Sequence, residues 1–405
     1  MPRALIIGAG ITGLSAAYFL KEQCDVLLVE MSGNTGGWIQ TRIIDGFLCE
    51  QGPRGIRGVG QGEETLSLVR SLGLEDQLIV ASPLAKKRMI WSDGKLQVLS
   101  PLFFLKNGLV GELILEFFRR RSQKDDESIA SFFTRRFGIK TTRLLADALT
   151  TGIYAGDIHT LSMRSCFPRL WEMESLFRGY LFSKKTSGSI PLFSFKDGMK
   201  VLPNALEKKV QDHLLLGTEV LSYKDNKAKL SNGKEVLYDY LIDTTPREEV
   251  LKSSIALIHL GFDDYELETP GFGYLIPTGE DPHLLGVVFD SCVFPTQNSK
   301  TKLTVMLGGA RFPDVVNTPR ERLIEIALSA LKRQMNIKAK PVVIDCHLCK
   351  NAIPQYSIGH HQWIEQLNAK HKNHFYLGSS TEGVAVNNLI SQADRLAKKI
   401  ALELQ

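Results

Sequence analysis

The run Gly8-Ala9-Gly10-Ile11-Thr12-Gly13 constrains this chain more than anything else in it. It follows the apolar segment Ala4-Leu5-Ile6-Ile7 and opens Leu14-Ser15-Ala16-Ala17-Tyr18-Phe19-Leu20, so it reads as strand, tight turn and helix. The three glycines have separate reasons. Gly8 permits the turn, Gly10 lets backbone approach a diphosphate, and Gly13 lets helix and strand pack closely. The helix start offers unpaired N–H groups and a positive dipole end to the same diphosphate. The next strand, Val26-Leu27-Leu28-Val29, ends in Glu30, 17 residues past Gly13. A carboxylate there accepts hydrogen bonds from ribose hydroxyls and repels a 2′-phosphate, which argues against NADP. The order of pieces predicts a dinucleotide-binding βαβ unit with contacts at Gly8, Ala9, Gly10, Ile11, Thr12, Gly13 and Glu30. A glycine turn serving packing alone is the alternative.

Later segments favour FAD over NAD. Gly36-Gly37-Trp38-Ile39-Gln40-Thr41-Arg42 places a double glycine where a chain folds back along an adenine-flavin dinucleotide. In Glu50-Gln51-Gly52-Pro53-Arg54-Gly55-Ile56-Arg57, small residues let backbone lie near an isoalloxazine ring. Arg54 or Arg57 could offset charge on a reduced flavin, with a surface ion pair as the alternative. At the far end, a strand Phe375 to Leu377 leads through Gly378-Ser379-Ser380 and Thr381-Glu382-Gly383-Val384-Ala385-Val386 into a terminal helix. The expected flavin contacts are therefore Gly37, Trp38, Gly52, Pro53, Arg54, Gly55, Val220 on an intervening strand, Ser379, Val384, Ala385 and Val386.

Between these ends the pattern changes. Residues 63–73 read as a helix stopped by Gly73, and 86–195 as amphipathic and basic-aromatic segments. Strands are expected at Val220–Tyr223, Ala228–Leu230 and Tyr240–Asp243, with turns at Asp225-Asn226 and Asn232-Gly233. Apolar β-like runs fill 255–310, and a helix follows over 318–336. The fold class expected is α/β with α+β insertions: a discontinuous Rossmann-like FAD-binding domain (1–85, 196–254 and 340–405), a mainly helical membrane-binding and substrate insertion (86–195), and a mixed-sheet substrate-binding domain (255–339). A length of 405 residues accommodates several such units.

Six cysteines spread over the chain make no disulfide framework and suit a reducing compartment. Cys346-His347-Leu348-Cys349 is a lone CxxC without matched partners, so no metal is expected. The net charge of +5 carries no basic arm or zinc-finger spacing, so nucleic acid is not expected as a partner. The most apolar stretch, Pro101 to Phe118, is interrupted by Lys106, Asn107, Glu112 and Glu116. Within it Leu113-Ile114-Leu115-Glu116-Phe117-Phe118-Arg119-Arg120-Arg121 combines apolar bulk with a basic end. It could lie in an interface with anionic lipid or form a solvated helix end.

Taken in order, several blocks resemble the protoporphyrinogen oxidase family. They are Gly36-Gly37-Trp38-Ile39, Gly52-Pro53-Arg54-Gly55-Ile56-Arg57, Gly152-Ile153-Tyr154-Ala155-Gly156-Asp157 and Leu161-Ser162-Met163-Arg164-Ser165-Cys166-Phe167-Pro168. Gly271-Phe272-Gly273-Tyr274-Leu275-Ile276-Pro277, Leu285-Gly286-Val287-Val288-Phe289-Asp290-Ser291, Thr304-Val305-Met306-Leu307-Gly308-Gly309 and Glu382-Gly383-Val384-Ala385-Val386-Asn387 continue the series. The glycine fingerprint alone is shared with the wider amine oxidase and phytoene desaturase group. The chain departs from the family in Asn388-Leu389-Ile390-Ser391-Gln392 and in short loops around 104–145.

The resemblance implies an FAD-dependent six-electron oxidation of a porphyrinogen in porphyrin and haem biosynthesis. Three hydride transfers to flavin N5 would each be followed by reoxidation with O2, releasing H2O2. It implies a flat apolar slot at Phe272, Gly273, Leu275, Val288 and Met306, with the Gly152 carbonyl near the macrocycle and Arg88 pairing with a propionate. It further implies peripheral attachment of a cytoplasmic protein to a membrane surface, with homodimer formation and product hand-over to the next enzyme as possible. Protoporphyrinogen IX is the expected substrate. Coproporphyrinogen III, with four carboxylates instead of two, is the near alternative. An amine or carotenoid-precursor oxidase and a non-catalytic flavin-binding scaffold stay open.

Overall fold

A computed structural model describes residues 1–116, 119, 122–176, 190 and 192–404. Its first sheet is wholly parallel. Strands β1 (Arg3–Ile7), β2 (Asp25–Val29), β9 (Leu214–Leu215), β13 (Tyr240–Asp243) and β19 (His374–Tyr376) lie in the order β19-β13-β1-β2-β9. The period of two in β1 sorts its side chains. Ala4 and Ile6 join a core with α1 (Ile11–Leu20), α2 (Gly62–Ser71), α9 (Val201–Val210) and α13 (Val386–Glu403). Leu5 faces the other way, onto a three-stranded antiparallel sheet of β10 (Val220–Lys224), β11 (Lys227–Leu230) and β12 (Glu235–Leu237). Asp225 and Asn226 at the β10–β11 turn both have positive φ, 49° and 59°, as the tight turn expected there requires.

The second sheet has seven strands in the order β18-β14-β17-β16-β15-β6-β7. These are β18 (Val343–Pro354), β14 (Lys252–Phe262), β17 (Thr301–Gly308), β16 (Leu284–Val288), β15 (Gly273–Leu275), β6 (Arg88–Ser92) and β7 (Lys95–Val98). Only the β15–β6 pairing is parallel. One face is sealed by α11 (Arg320–Met335), whose Leu323, Ala327, Ala330 and Leu331 share a core with Ala256, Ile258, Leu260, Leu303, Val305 and Leu307. Two expected boundaries move. β6 and β7 lie inside the span assigned to a helical insertion, and β18 inside the span assigned to the cofactor domain, yet all three belong to this sheet. The pairing partner lies 185 residues away for β6 and 82 to 102 residues away for β18, which no local pattern reports.

Smaller pieces bridge the two sheets. A hairpin of β3 (Thr41–Ile44) and β4 (Phe47–Glu50) leads into the Gly52–Arg57 segment, and β5 (Leu78–Val80) pairs with β8 (Phe193–Phe195). The short α10 (Asp290–Val293) follows β16. The helices α3 (Pro101–Lys106), α4 (Leu109–Glu116), α5 (Ile129–Thr141), α6 (Asp147–Tyr154), α7 (Met163–Cys166) and α8 (Pro168–Leu176) form the insertion, and α12 (His360–Ala369) packs beside it.

The basic residues of the insertion have a structural role the sequence reading did not assign. Arg136 is 1% exposed and ion-paired with Glu116, while Arg135 binds Glu127 and Glu174. These bonds tie α4, α5 and α8 together. Arg119, expected at a solvent or membrane end, is paired with Glu112. Phe117, Phe118, Arg120 and Arg121 lie outside the described residues. Cys346 and Cys349 sit three apart on β18, an odd spacing that turns them to opposite faces. Among the described residues no group of metal-binding side chains occurs, and no helix is long and apolar enough to cross a membrane.

Candidate active site

The cofactor end is built from backbone. Gly13 could carry no side chain, because a Cβ would lie 1.9 Å from the Gly8 carbonyl oxygen. Gly10 is the opposite case. A Cβ there meets no protein atom within 4 Å, and Gly10 is the N-cap of α1 with no side chain bonding the helix end. An open space in front of uncapped N–H groups suits a diphosphate. Glu30 at the end of β2 accepts from the Ala9 and Ser32 N–H groups at 2.7 and 2.9 Å. A carboxylate has about four acceptor sites, so ribose hydroxyls can still be bound. Leu215 and Thr218 bond the Glu30 backbone, and Val220 begins β10 close behind, at this same end.

The far pieces converge on the same place. Gly10 bridges to Gly36, and a Cβ on Gly37 would lie 3.3 Å from the Gly10 Cα. Gly52 crosses the Trp38 carbonyl so closely that a Cβ would be 1.9 Å from it. Ala385 is the N-cap of α13, again without a side-chain cap, so Val386 opens the helix with free N–H groups. The loop before it is pinned from outside. The Tyr356 hydroxyl donates to the Ser379 carbonyl at 2.5 Å, His360 Nε2 meets the Thr381 carbonyl at 3.0 Å, and the two rings stack 4.4 Å apart. Sequence reading missed this clamp, and only the aromatic cluster Tyr356-Ser357-Ile358-Gly359-His360 hinted at it.

The residues expected at a substrate gather around one face of the seven-stranded sheet. Along β17, Leu303, Val305 and Leu307 point into the α11 core, so Lys302, Thr304 and Met306 point to the other side. Tyr274 joins the α11 core, which turns Gly273 and Leu275 to the same side as Met306. Phe272, Val288 and Met306 meet in one apolar cluster with Ile79, Ala85, Val293 and Phe294. Leu275 belongs to the adjoining cluster with Ile90 and Phe103, and a Cβ on Gly152 of α6 would lie 2.6 Å from its Cδ2. Arg88 pairs with Gly273 in register and lies over the Phe272 ring, 4.5 Å from its centroid. Arg88 is the exposed residue of β6, whose other four positions are buried, and its side chain is partly desolvated. That burial, and then the Arg57 charge, lower its proton affinity, although a guanidinium stays charged. Six of the seven residues expected at the substrate thus lie on or beside this face, around two separate apolar clusters, and Gly152 packs against it from α6.

Beside the apolar part lies a buried polar network. Asp290 accepts from Arg54 at 3.2 Å and from Thr304 at 2.7 Å, and lies 3.0 Å from the Lys302 ammonium. Lys302 also meets His259 Nδ1 at 3.2 Å. Burial, then the Lys302 charge, push the His259 pKa far down, so the ring is neutral. Arg54, expected to balance flavin charge, is largely neutralised by Asp290. Its Nη2 is nonetheless buried without a protein acceptor, which leaves one donor for a bound group. The alternation Lys302-Leu303-Thr304-Val305-Met306 carried the signal for this network, since a lysine on the inner phase of a core strand demands a partner.

Comparison with known proteins shows the family. A profile for the flavin containing amine oxidoreductase family matches residues 11–401. The chain belongs to the flavin-containing amine oxidoreductases. Protoporphyrinogen oxidase of Macaca fascicularis is 32% identical, over 98% of each chain. Coproporphyrinogen III oxidase of Bacillus subtilis (strain 168) is 28% identical, over 96% of this chain and 95% of that one. A solved Exiguobacterium sp. 255-15 structure, described as a candidate protoporphyrinogen oxidase, superposes with a TM-score of 0.84 at 21% identity, covering 99% of both chains. This oxidoreductase is therefore an FAD enzyme, and the two uncapped helix ends, the Gly10 opening and the Arg54 donor are the parts of it that fit the cofactor.

Proposed function

We propose that this enzyme oxidises protoporphyrinogen IX to protoporphyrin IX, with three O2 reduced to three H2O2. The names of its relatives support a flavin-dependent oxidation of a porphyrinogen. The observation that carries the reading is the apolar sheet face at Phe272, Val288 and Met306 with the Arg88 guanidinium at its edge. Bound FAD supplies hydride acceptance. The chain's own residues supply a flat, water-poor surface for the macrocycle and an anchor for a peripheral carboxylate. Aromatisation provides driving force, so no residue need act as a strong acid or base.

Anaerobic addition of protoporphyrinogen IX should bleach the flavin absorbance, and admitting air should restore it with H2O2 released. A fully loaded protein whose spectrum does not change would end this reading. Coproporphyrinogen III run alongside decides between the two porphyrinogens.

Peripheral membrane attachment of a cytoplasmic enzyme belongs to the same proposal. Its support is the exposed row Leu102, Leu105, Ile114 and Leu115 on α3 and α4, with Leu105 65% and Ile114 59% exposed. Joint replacement of Leu105 and Ile114 by aspartate should release the protein from vesicles; unchanged co-sedimentation would sink the idea. Dimer formation and product hand-over are read by sedimentation and by transfer assays with the next enzyme.

A further inference from the structure

Asn387, one residue into α13, bonds two ways. Its Nδ2 donates to the Arg57 carbonyl at 2.7 Å, and its Oδ1 accepts from the Thr65 hydroxyl at 2.7 Å. A Cβ on Gly62 would lie 2.1 Å from the same Arg57 carbonyl oxygen, so the backbone at Arg57 is held from both sides. The Arg57 backbone is thus fixed by α13 and α2. Ile56 bridges antiparallel to Phe193, which places Arg57 opposite Leu192. Leu192 packs in the cluster that contains Phe272, and Arg88 lies over the Phe272 ring. The path from Arg57 to Arg88 therefore runs through a shared apolar floor.

Neither arginine has an acidic partner among the described residues, unlike Arg54, Arg119, Arg135 and Arg136, which all do. The two charges are close enough for Arg57 to lower the proton affinity of Arg88. Two like charges above one apolar floor repel each other, and a dianion spanning them relieves that repulsion.

We infer that Arg57 is a specificity-determining residue that, together with Arg88, grips the two propionates on adjacent pyrroles of the macrocycle. This rests on the functional reading above. It assigns Arg57 to the substrate and not to the flavin, and it orients the ring with its acidic edge outward and its vinyl edge over Leu275 and Gly152. A guanidinium at each position matches a carboxylate with paired N–H donors, which a lysine cannot do.

The test compares the wild type with Arg57→Gln and Arg57→Lys on protoporphyrinogen IX and on its dimethyl ester. Arg57→Gln should raise KM for the diacid about tenfold, the loss of one charge-assisted carboxylate contact, and leave kcat within about twofold. KM for the ester should not move, and Arg57→Lys should recover part of the loss. Flavin content and the resting flavin spectrum should match the wild type. An equal change for acid and ester, or an unchanged KM for both, overturns the assignment while wild-type turnover keeps the functional reading intact. A loss of flavin in Arg57→Gln overturns it too and returns Arg57 to the cofactor. A wild type that turns over neither substrate defeats both readings together.

Discussion

The cofactor end and the substrate end of this enzyme are specified in different ways. At the cofactor end, apart from the Glu30 and Arg54 side chains, the fitting features are N–H groups and missing side chains: Gly10, Gly13, Gly37 and Gly52 each make room for backbone or ligand. At the proposed substrate end they are side chains on one sheet face from β6, β15, β16 and β17, with Gly152 of α6 packed against Leu275. Backbone sites tolerate no intrusion but ask little of neighbouring chemistry. Side-chain sites tolerate change in any one member but depend on pairing across long loops. Substitutions should therefore fail abruptly at the first and gradually at the second.

The sharpest break is between two glycines of one turn. Gly13→Val pushes α1 away from the Gly8 carbonyl and should destabilise the fold by more than about 3 kcal/mol, seen as a large fall in denaturation midpoint. At Gly10 a Cβ meets no protein atom within 4 Å, so the Gly10→Val apoprotein should lose only about 1 kcal/mol, the cost of a poorer helix cap. Yet it should purify colourless, because the side chain fills the diphosphate space. Flavin released on denaturation, measured beside the apoprotein melt, separates the two. A yellow Gly10→Val protein would remove the diphosphate from α1.

Next comes the polar network that joins the two ends. Asp290→Ala leaves Lys302, which is 1% exposed, and Arg54 without their shared counter-charge. Such a buried charge stripped of its partner costs about 3 kcal/mol or more. Replacing Lys302 by Met in the same chain should restore part of this, since one orphaned cation is gone. Equal stability of the single and double variants would mean that the network contributes nothing beyond packing.

How far each end was legible follows from the same contrast. The run from Gly8 to Glu30 lies within one βαβ unit, so its meaning is local and the structure places every piece as expected. The turn at Asp225-Asn226 and the alternating strands around it were legible for the same reason. The network was not. Arg54 and Asp290 are 236 residues apart, and His259 and Lys302 are 43 apart, so nothing in either neighbourhood names the partner. The role of Arg135 and Arg136 was hidden for the same reason, because Glu116, Glu127 and Glu174 reach them only once the helices pack. The residues of the proposed slot were picked out only through the family resemblance. Val288, at 8% exposure, would pass for plain core on periodicity alone.

A smaller effect tests the hairpin that carries the flavin segment. Glu50 accepts from the Met199 N–H at 2.7 Å and from the Thr41 hydroxyl at 2.8 Å, but burial outweighs both and raises its pKa from an ordinary 4.5 to about 7. Between these values the folded state holds a proton that the unfolded chain has released. Stability from this group is therefore full at low pH and declines as pH rises from about 4.5 to about 7, by roughly 3 kcal/mol. Glu50→Gln cannot ionise and should flatten that part of the profile. Urea melts at pH 5 and pH 8 give the comparison, and an unchanged slope would show that Glu50 stays charged when folded.

The least effect is expected where side chains serve the backbone site from outside. Tyr356→Phe keeps the ring stacked on His360 and removes only the bond to the Ser379 carbonyl. One neutral hydrogen bond is worth about 1 kcal/mol, so flavin should dissociate roughly fivefold faster. The KM for porphyrinogen should stay put, because Tyr356 touches the loop before α13 and not the sheet face. If KM changed instead and flavin release did not, the clamp would belong to the side-chain end, and the division between a backbone site and a side-chain site would be drawn in the wrong place.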